Sequence, residues 1–363
     1  MQDKIKLTLN FNVFKDKEEQ KEILRIWEEF LNRDFRVVDD ANLRYWVTSE
    51  RFFAPNRFLS DLYTVKANLK YSQITVVGLF PVGKDTFNLK TMFSSTYDSG
   101  KKHQLEYIYS VYVIKTGEGF KFMSSPQWYF DHWEKKDVGS ISYCFDKNRP
   151  FNPQLGVRLD SFNRSMSRLF KSDVQLPIYF VGKNVFEAYQ FMGYDYNAEQ
   201  ATFSQQGAYT ESLQKIVFAG NGTEYYPHEI VHLYTGLFWG KDDIYYHQWF
   251  NEGIAVFLGG YQGYPVEWHL KKLKKYLDEH PQEPLNDIST FYFTVDGEYR
   301  TNFMYEIGGL ICKRIYEAKG MDGLFDLLKS GSTDDDFYKA IEKHFGVKKA
   351  NFGTFIRNEL KKM

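Results

Sequence analysis

Across residues 17–32 the apolar positions Ile23, Leu24, Ile26, Trp27, Phe30 and Leu31 recur at helical spacing among alternating charges, which predicts a helix. The period then changes. Residues 74–80, 87–93 and 105–114 are β-branched and aromatic runs, separated by turn segments such as Val82-Gly83-Lys84-Asp85 and Thr116-Gly117-Glu118-Gly119. They predict a long antiparallel meander, and residues 120–123 and 139–145 continue the series. Pro150 and Pro153 interrupt the pattern, so the chain reads as two domains, 1–148 and 149–363. Past the boundary come a helix (155–170), a strand (176–181), a helix (184–191), a strand pair (207–210 and 214–219) and a mostly helical remainder. Within that remainder, residues 270–276 look basic, but apolar residues recur every three positions. The run reads as the wet face of an amphipathic helix rather than a phosphate-binding patch. The expected fold class is α+β throughout.

A helix followed by a long meander resembles the nuclear-transport-factor-2-like (cystatin-like) cone, and the resemblance implies a concave face where a small ligand could sit. Composition adds limits. At 43% apolar residues the chain can bury a sizeable core without disulfides. Aromatic residues reach 18%, so no single aromatic carries weight alone. With 46 basic against 47 acidic residues there is no basic surplus, and no nucleic-acid partner is expected. No apolar run approaches the length of a membrane span. Cys144 and Cys312 share no metal-ligand spacing; one disulfide and two thiols are both open. The beginning, Met1-Gln2-Asp3-Lys4, lacks the shape of a signal peptide and equally suits a mature N-terminus after export, which is ranked ahead of a cytoplasmic location.

The chemistry concentrates in one stretch. His228-Glu229-Ile230-Val231-His232 matches H-E-x-x-H. Residues four apart share a helix face, so both imidazoles can converge on one ion while Glu229 lies beside it, placed to take a proton from water. With eight histidines in the chain, a chance match is on the order of 1%. Pro227 suits a first helical position. A catalytic zinc needs a third protein ligand and one open position. Glu252 is an acidic residue in an otherwise apolar or small stretch, where a buried carboxylate needs a cation or a strong partner. Gly253, Ala255 and Gly259 would let its helix approach the first closely.

Together, H-E-x-x-H and Asn251-Glu252-Gly253-Ile254-Ala255 resemble the gluzincin clan of zinc metallopeptidases, and Trp249 to Ala255 is similar to the matching segment of the aminopeptidase N family. The resemblance implies Zn²⁺ held by His228, His232 and Glu252, with Glu229 as general base, on a mostly helical thermolysin-like domain with a small sheet. Nineteen residues separate His232 from Glu252, as in thermolysin-like enzymes. Their acidic residue four positions after the glutamate is absent, because position 256 is Val, so the partner of a zinc histidine must come from elsewhere. Tyr305-Glu306-Ile307-Gly308-Gly309 is similar to the family helix whose tyrosine stabilises an oxyanion, which makes Tyr305 the second catalytic candidate. The other reading is a core tyrosine, one of 27.

The amine-holding segment of aminopeptidase N relatives is not matched. Gly207-Ala208-Tyr209-Thr210-Glu211 keeps only its first two residues, though an edge strand there could bind a peptide backbone by strand addition. His247 could line the cleft or sit in the core; His103, His132, His269, His280 and His344 are expected at the surface or incidental. The expected activity is hydrolysis of peptide or protein substrates, endo or exo. Two alternatives stay open: a catalytically silent zinc domain that binds peptides, and ligand binding by the N-terminal cone.

Overall fold

The computed structural model of the chain describes residues 6–9, 18–33, 43–49, 72–97, 102–198, 206–285, 287–288 and 303–363. Its architecture is mixed α+β, as expected. The chain forms two compact units. One comprises Met1–Lys136, Tyr143–Pro150 and Phe180–Gln205; the other comprises Asp137–Ser142, Phe151–Tyr179 and Gln206–Met363.

In the first unit helix α1 (Glu18–Leu31) buries Ile23, Ile26, Trp27, Phe30 and Leu31, one stripe of its surface. The sheet runs β1 (Thr8–Leu9), β2 (Ser72–Gly83), β3 (Thr86–Tyr97), β4 (Lys102–Thr116), β5 (Gly119–Met123). The pairs β2–β3, β3–β4 and β4–β5 are antiparallel, so the meander forms as the alternation predicts. Rings close the space between helix and sheet: Trp27 meets Phe122 edge-on at 5.1 Å, and Phe30 meets Trp46 at 5.4 Å. The indole of Trp27 also donates to Thr91 Oγ1 at 2.9 Å, so its one polar atom is satisfied inside the core. Helix α2 (Ser125–His132) follows β5, capped by Ser124 accepting from the amide of Gln127.

A second sheet has the order β10-β11-β8-β7-β6, with β6 at Glu134–Val138, β7 at Ile141–Phe145, β8 at Ile178–Val181, β10 at Gly207–Glu211 and β11 at Ile216–Gly220. Residues 139–145 therefore do not extend the first meander. A five-residue apolar strand does not encode its partner, and Ile141–Phe145 pairs in this sheet instead. The stretch read as a strand at 176–181 and a helix at 184–191 leads to helix α4 (Val185–Phe191) and strand β9 (Tyr194–Asn197), which pairs with β4. Before it lies helix α3 (Pro153–Phe170), capped by Asn152.

Within the second unit β11 is buried at every residue, whereas β10, the sheet's edge, is half-buried throughout. Six more helices complete the described residues of this unit: α5 (Pro227–Thr235), α6 (Gln248–Gly259), α7 (Val266–Glu279), α8 (Phe303–Leu327, interrupted at Gly320), α9 (Asp334–Phe345) and α10 (Phe352–Lys361). The basic run lies on α7, which buries Leu270, Leu273 and Leu277 and leaves its lysines outward. Cys144 and Cys312 are both free and buried. No described helix is long and apolar enough to cross a membrane.

Candidate metal centre

Helix α5 begins where the sequence marks a start, with Pro227 at its first position and no backbone N–H to leave unpaired. Tyr234 moors it: the hydroxyl donates to Asn163 Oδ1 on α3 at 2.6 Å and accepts from the amide of Gln175 at 3.3 Å. The first turn of α5 carries His228 and Glu229, the last carries His232, and all three project into one cavity of about 300 Å³. Helix α6 brings Glu252 to the same point. His228 Nε2 lies 3.2 Å from His232 Nε2 and 3.2 Å from Glu252 Oε2, and His232 Nε2 lies 3.4 Å from that oxygen. Tetrahedral ligands at bond lengths of roughly 2.0–2.1 Å are separated by about 3.3–3.4 Å, so this triangle has the dimensions of one face of a zinc site.

The outer nitrogens decide what the inner ones can do. His228 Nδ1 is 2.8 Å from the carbonyl of Gly260, and His232 Nδ1 is 3.2 Å from Asn251 Oδ1. Both neighbours accept hydrogen bonds, which assigns the ring protons to Nδ1 and leaves both Nε2 lone pairs facing the Glu252 carboxylate. Three such acceptors within 3.4 Å repel one another unless a proton on His232 or a metal cation lies between them. The residues present therefore fit a divalent metal. Burial opposes charge on His232 and Glu252, yet each overrules it for the other. The carboxylate lifts His232 to about 9, and the imidazoles hold Glu252 well below the usual carboxylate range. The second Glu252 oxygen accepts from Gln248 Nε2 at 2.8 Å, which fixes the carboxylate plane.

Glu229 is buried beside the triangle, its carboxylate within 4.8 Å of both imidazoles. Thr210 on β10 donates to Glu229 Oε2 at 2.7 Å, so the edge strand orients this carboxylate. Tyr305 opens helix α8 and lines the cavity, stacked on Tyr261 at 4.5 Å with its ring 6.0 Å from that of His228. Burial first, and then the charge of Glu252, hold its phenol well above the ordinary tyrosine value, so it keeps its proton and can donate. Tyr226 and Tyr261 line the same cavity; burial and then the charge of Glu229 raise the first, and burial and then Glu252 push the second up to about 12.

Glycine sets the helix spacing. A Cβ on Gly259 would lie 2.7 Å from the Cα and N of His228, so α6 ends directly against the start of α5. Gly253, expected at that same contact, packs instead against the backbone of Gly308 on α8. The carbonyl that anchors His228 belongs to Gly260, at φ +75°, a left-handed backbone that glycine adopts without strain.

All five residues named from the sequence as ligands or catalytic groups line this one cavity. His247 does not. It caps α6, accepting at Nδ1 from the amide of Trp249 (3.3 Å) while Nε2 reaches Asp334 Oδ1 at 3.0 Å. His269, expected at the surface, is fully buried and donates through Nε2 to the carbonyl of Tyr261, bracing a wall of the cavity. Asn251, Gly260, Thr210, Gln248, Tyr226 and Tyr261 were not assigned these roles from the sequence. Asn251 lies inside the Asn-Glu-Gly motif and Tyr226 two residues before His228, so proximity was the only signal for them. The chain matches no protein-family model and no curated protein.

Proposed function

We propose that this protein is a zinc-dependent peptide hydrolase of the gluzincin type, with His228, His232 and Glu252 as ligands. The observation that carries this reading is the triangle of His228 Nε2, His232 Nε2 and Glu252 Oε2, each member held from behind by its own hydrogen bond. A zinc ion held by these residues would supply Lewis acidity toward a carbonyl and toward water. The protein's own groups do the rest. Glu229, oriented by Thr210, takes a proton from the attacking water and passes it to the leaving amine as the C–N bond breaks. Tyr305 donates to the oxyanion that develops on the former carbonyl oxygen. Edge strand β10, whose residues 207–210 line the cavity, presents backbone groups to an extended peptide.

The rival seat of function receives less support. Trp27, Phe30, Trp46 and Phe122 fill the space between α1 and its sheet with rings, where a ligand-binding cone needs room. The test pairs metal analysis by mass spectrometry with a peptide-library digest by wild type and Glu229→Gln. About one zinc per chain with Glu229-dependent cleavage supports the proposal. Zinc without such cleavage leaves a peptide-binding module, and no zinc after chelator-free purification overturns the metal site itself.

A further inference from the structure

Beyond the metal centre lies a second, larger cavity of about 700 Å³, which shares Tyr226 and Tyr261 with the first as a common wall. Its size is that of a site for a small ligand or a few peptide residues. Aromatic rings line much of it, among them Tyr225, Phe257 and Tyr264. Among the described residues one charged side chain reaches it, Arg158 of α3, and no carboxylate lines it. Arg158 lies over the ring of Tyr225 with its guanidinium carbon 4.5 Å from the centroid. No carboxylate of the described residues forms an ion pair with it. The neighbouring Glu224 is buried and does not line the cavity.

A guanidinium stacked on an aromatic face loses little freedom when it binds, and its planar fork matches a carboxylate. A cation without a carboxylate partner, lining an aromatic pocket that shares a wall with the proposed hydrolytic centre, selects for negative charge. We propose that this cavity is a substrate subsite in which Arg158 binds a carboxylate of the peptide, either an acidic side chain or the C-terminal carboxylate. The choice of a peptide as ligand rests on the hydrolase reading of the metal centre; the positive subsite does not depend on cleavage. Gly260, whose carbonyl anchors His228, is among the residues that line this cavity.

The test separates the two readings by measuring binding rather than turnover. Glu229→Gln protein is titrated with fluorescent octapeptides, blocked at both ends, that carry Glu, Gln or Lys at one position at a time. A further set has a free C-terminus. Binding should be about tenfold tighter for Glu than Gln at one position, or for free over blocked C-terminus, whichever is the source of the carboxylate. Adding Arg158→Ala should bring that ratio close to one, Arg158→Lys should retain part of it, and Arg158→Glu should turn the preference toward Lys. Zinc content and circular dichroism of each variant establish that the fold is kept. A ratio that survives Arg158→Ala overturns the subsite, as does the absence of any carboxylate preference in the parent. Failure of wild type to cleave peptides bears only on the hydrolase reading.

Discussion

Replacing Gly259 by Ala tests how closely two helices must approach to make the metal triangle. The new Cβ would meet the N and Cα of His228 at 2.7 Å and the carbonyl carbon of Pro227 at 2.8 Å. Ordinary contact begins near 3.4 Å, so α6 and α5 must separate by about 0.7 Å. All three atoms are backbone, and no side chain can turn aside. Overpacking of this kind costs about 1–3 kcal/mol, and because Gly259 is the last residue of α6 the better helix propensity of Ala returns only a fraction of the ~0.5–1 kcal/mol it is worth in a helix interior. A net loss of about 1–2 kcal/mol lowers the melting temperature by roughly 2–8 °C for a unit of this size.

The same displacement would act on a metal held by the triangle. Gly259 touches His228, whose Nε2 lies 3.2 Å from Glu252 Oε2, while metal–ligand distances tolerate only about 0.2 Å of error. Zinc affinity should therefore fall about tenfold or more, a loss of the size seen when outer partners of metal ligands are removed. Calorimetry of the metal-free protein and competition with a chromophoric chelator read the two effects separately. Gly309→Ala is the internal comparison: its Cβ would meet methyls of Val266 and Val256 at 3.0 and 3.1 Å, so side chains rather than backbone must give way, and by only about 0.3–0.4 Å. Its loss of stability should be less than half as large, with zinc affinity unchanged. A Gly259→Ala protein that melts within 1 °C of wild type and binds zinc equally well would refute the close approach.

Three further outcomes are expected. Asn251→Ala removes the acceptor behind His232 Nδ1 and should weaken zinc binding about 10–100-fold by chelator competition; unchanged affinity would assign Asn251 to Thr235 alone. Tyr305→Phe should lower kcat by about 10²–10³ while zinc content and KM stay close to wild type, and a kcat that holds would make this a packing tyrosine. Glu306 is fully buried, neither of its oxygens has a hydrogen-bond partner among the described residues, and burial holds its pKa well above the carboxylate range. An acid whose folded pKa is raised contributes stability fully below its unfolded pKa of about 4.3 and loses it as pH rises from there toward the folded value, so the melting temperature of Glu306→Gln should gain on wild type as pH rises above about 5. Melting curves that run parallel across that range would show that Glu306 ionises at no cost.

The legible parts of this molecule are those whose determinants are close in sequence. Helix α1 declares itself through Ile23, Ile26, Trp27, Phe30 and Leu31 because a helix repeats every 3.6 residues, and His228 and His232 declare a metal face for the same reason. Glu252 is readable because a lone carboxylate among apolar residues demands a partner, and the triangle of Nε2 and Oε2 atoms is where it finds two. The illegible parts are closed by distant contacts. His247 pairs with Asp334, 87 positions away, and its role as a cap depends on where α9 begins. Ile141–Phe145 has the alternation of a strand, but alternation states which face is buried and not which neighbour accepts the hydrogen bonds. The support of the metal centre shows the limit most sharply. The missing acid at position 256 signalled that a histidine needed another anchor. That anchor proves to be a backbone carbonyl for His228 and an amide oxygen for His232, and any residue type can supply the first. What makes Gly260 suitable is its φ of +75°, a property of the turn after α6 that no spacing rule encodes. The proposed metal ligands can be read from side-chain chemistry, whereas the groups that aim them depend on backbone path, and a perturbation such as Gly259→Ala separates the two by moving the path while leaving the identity of every ligand unchanged.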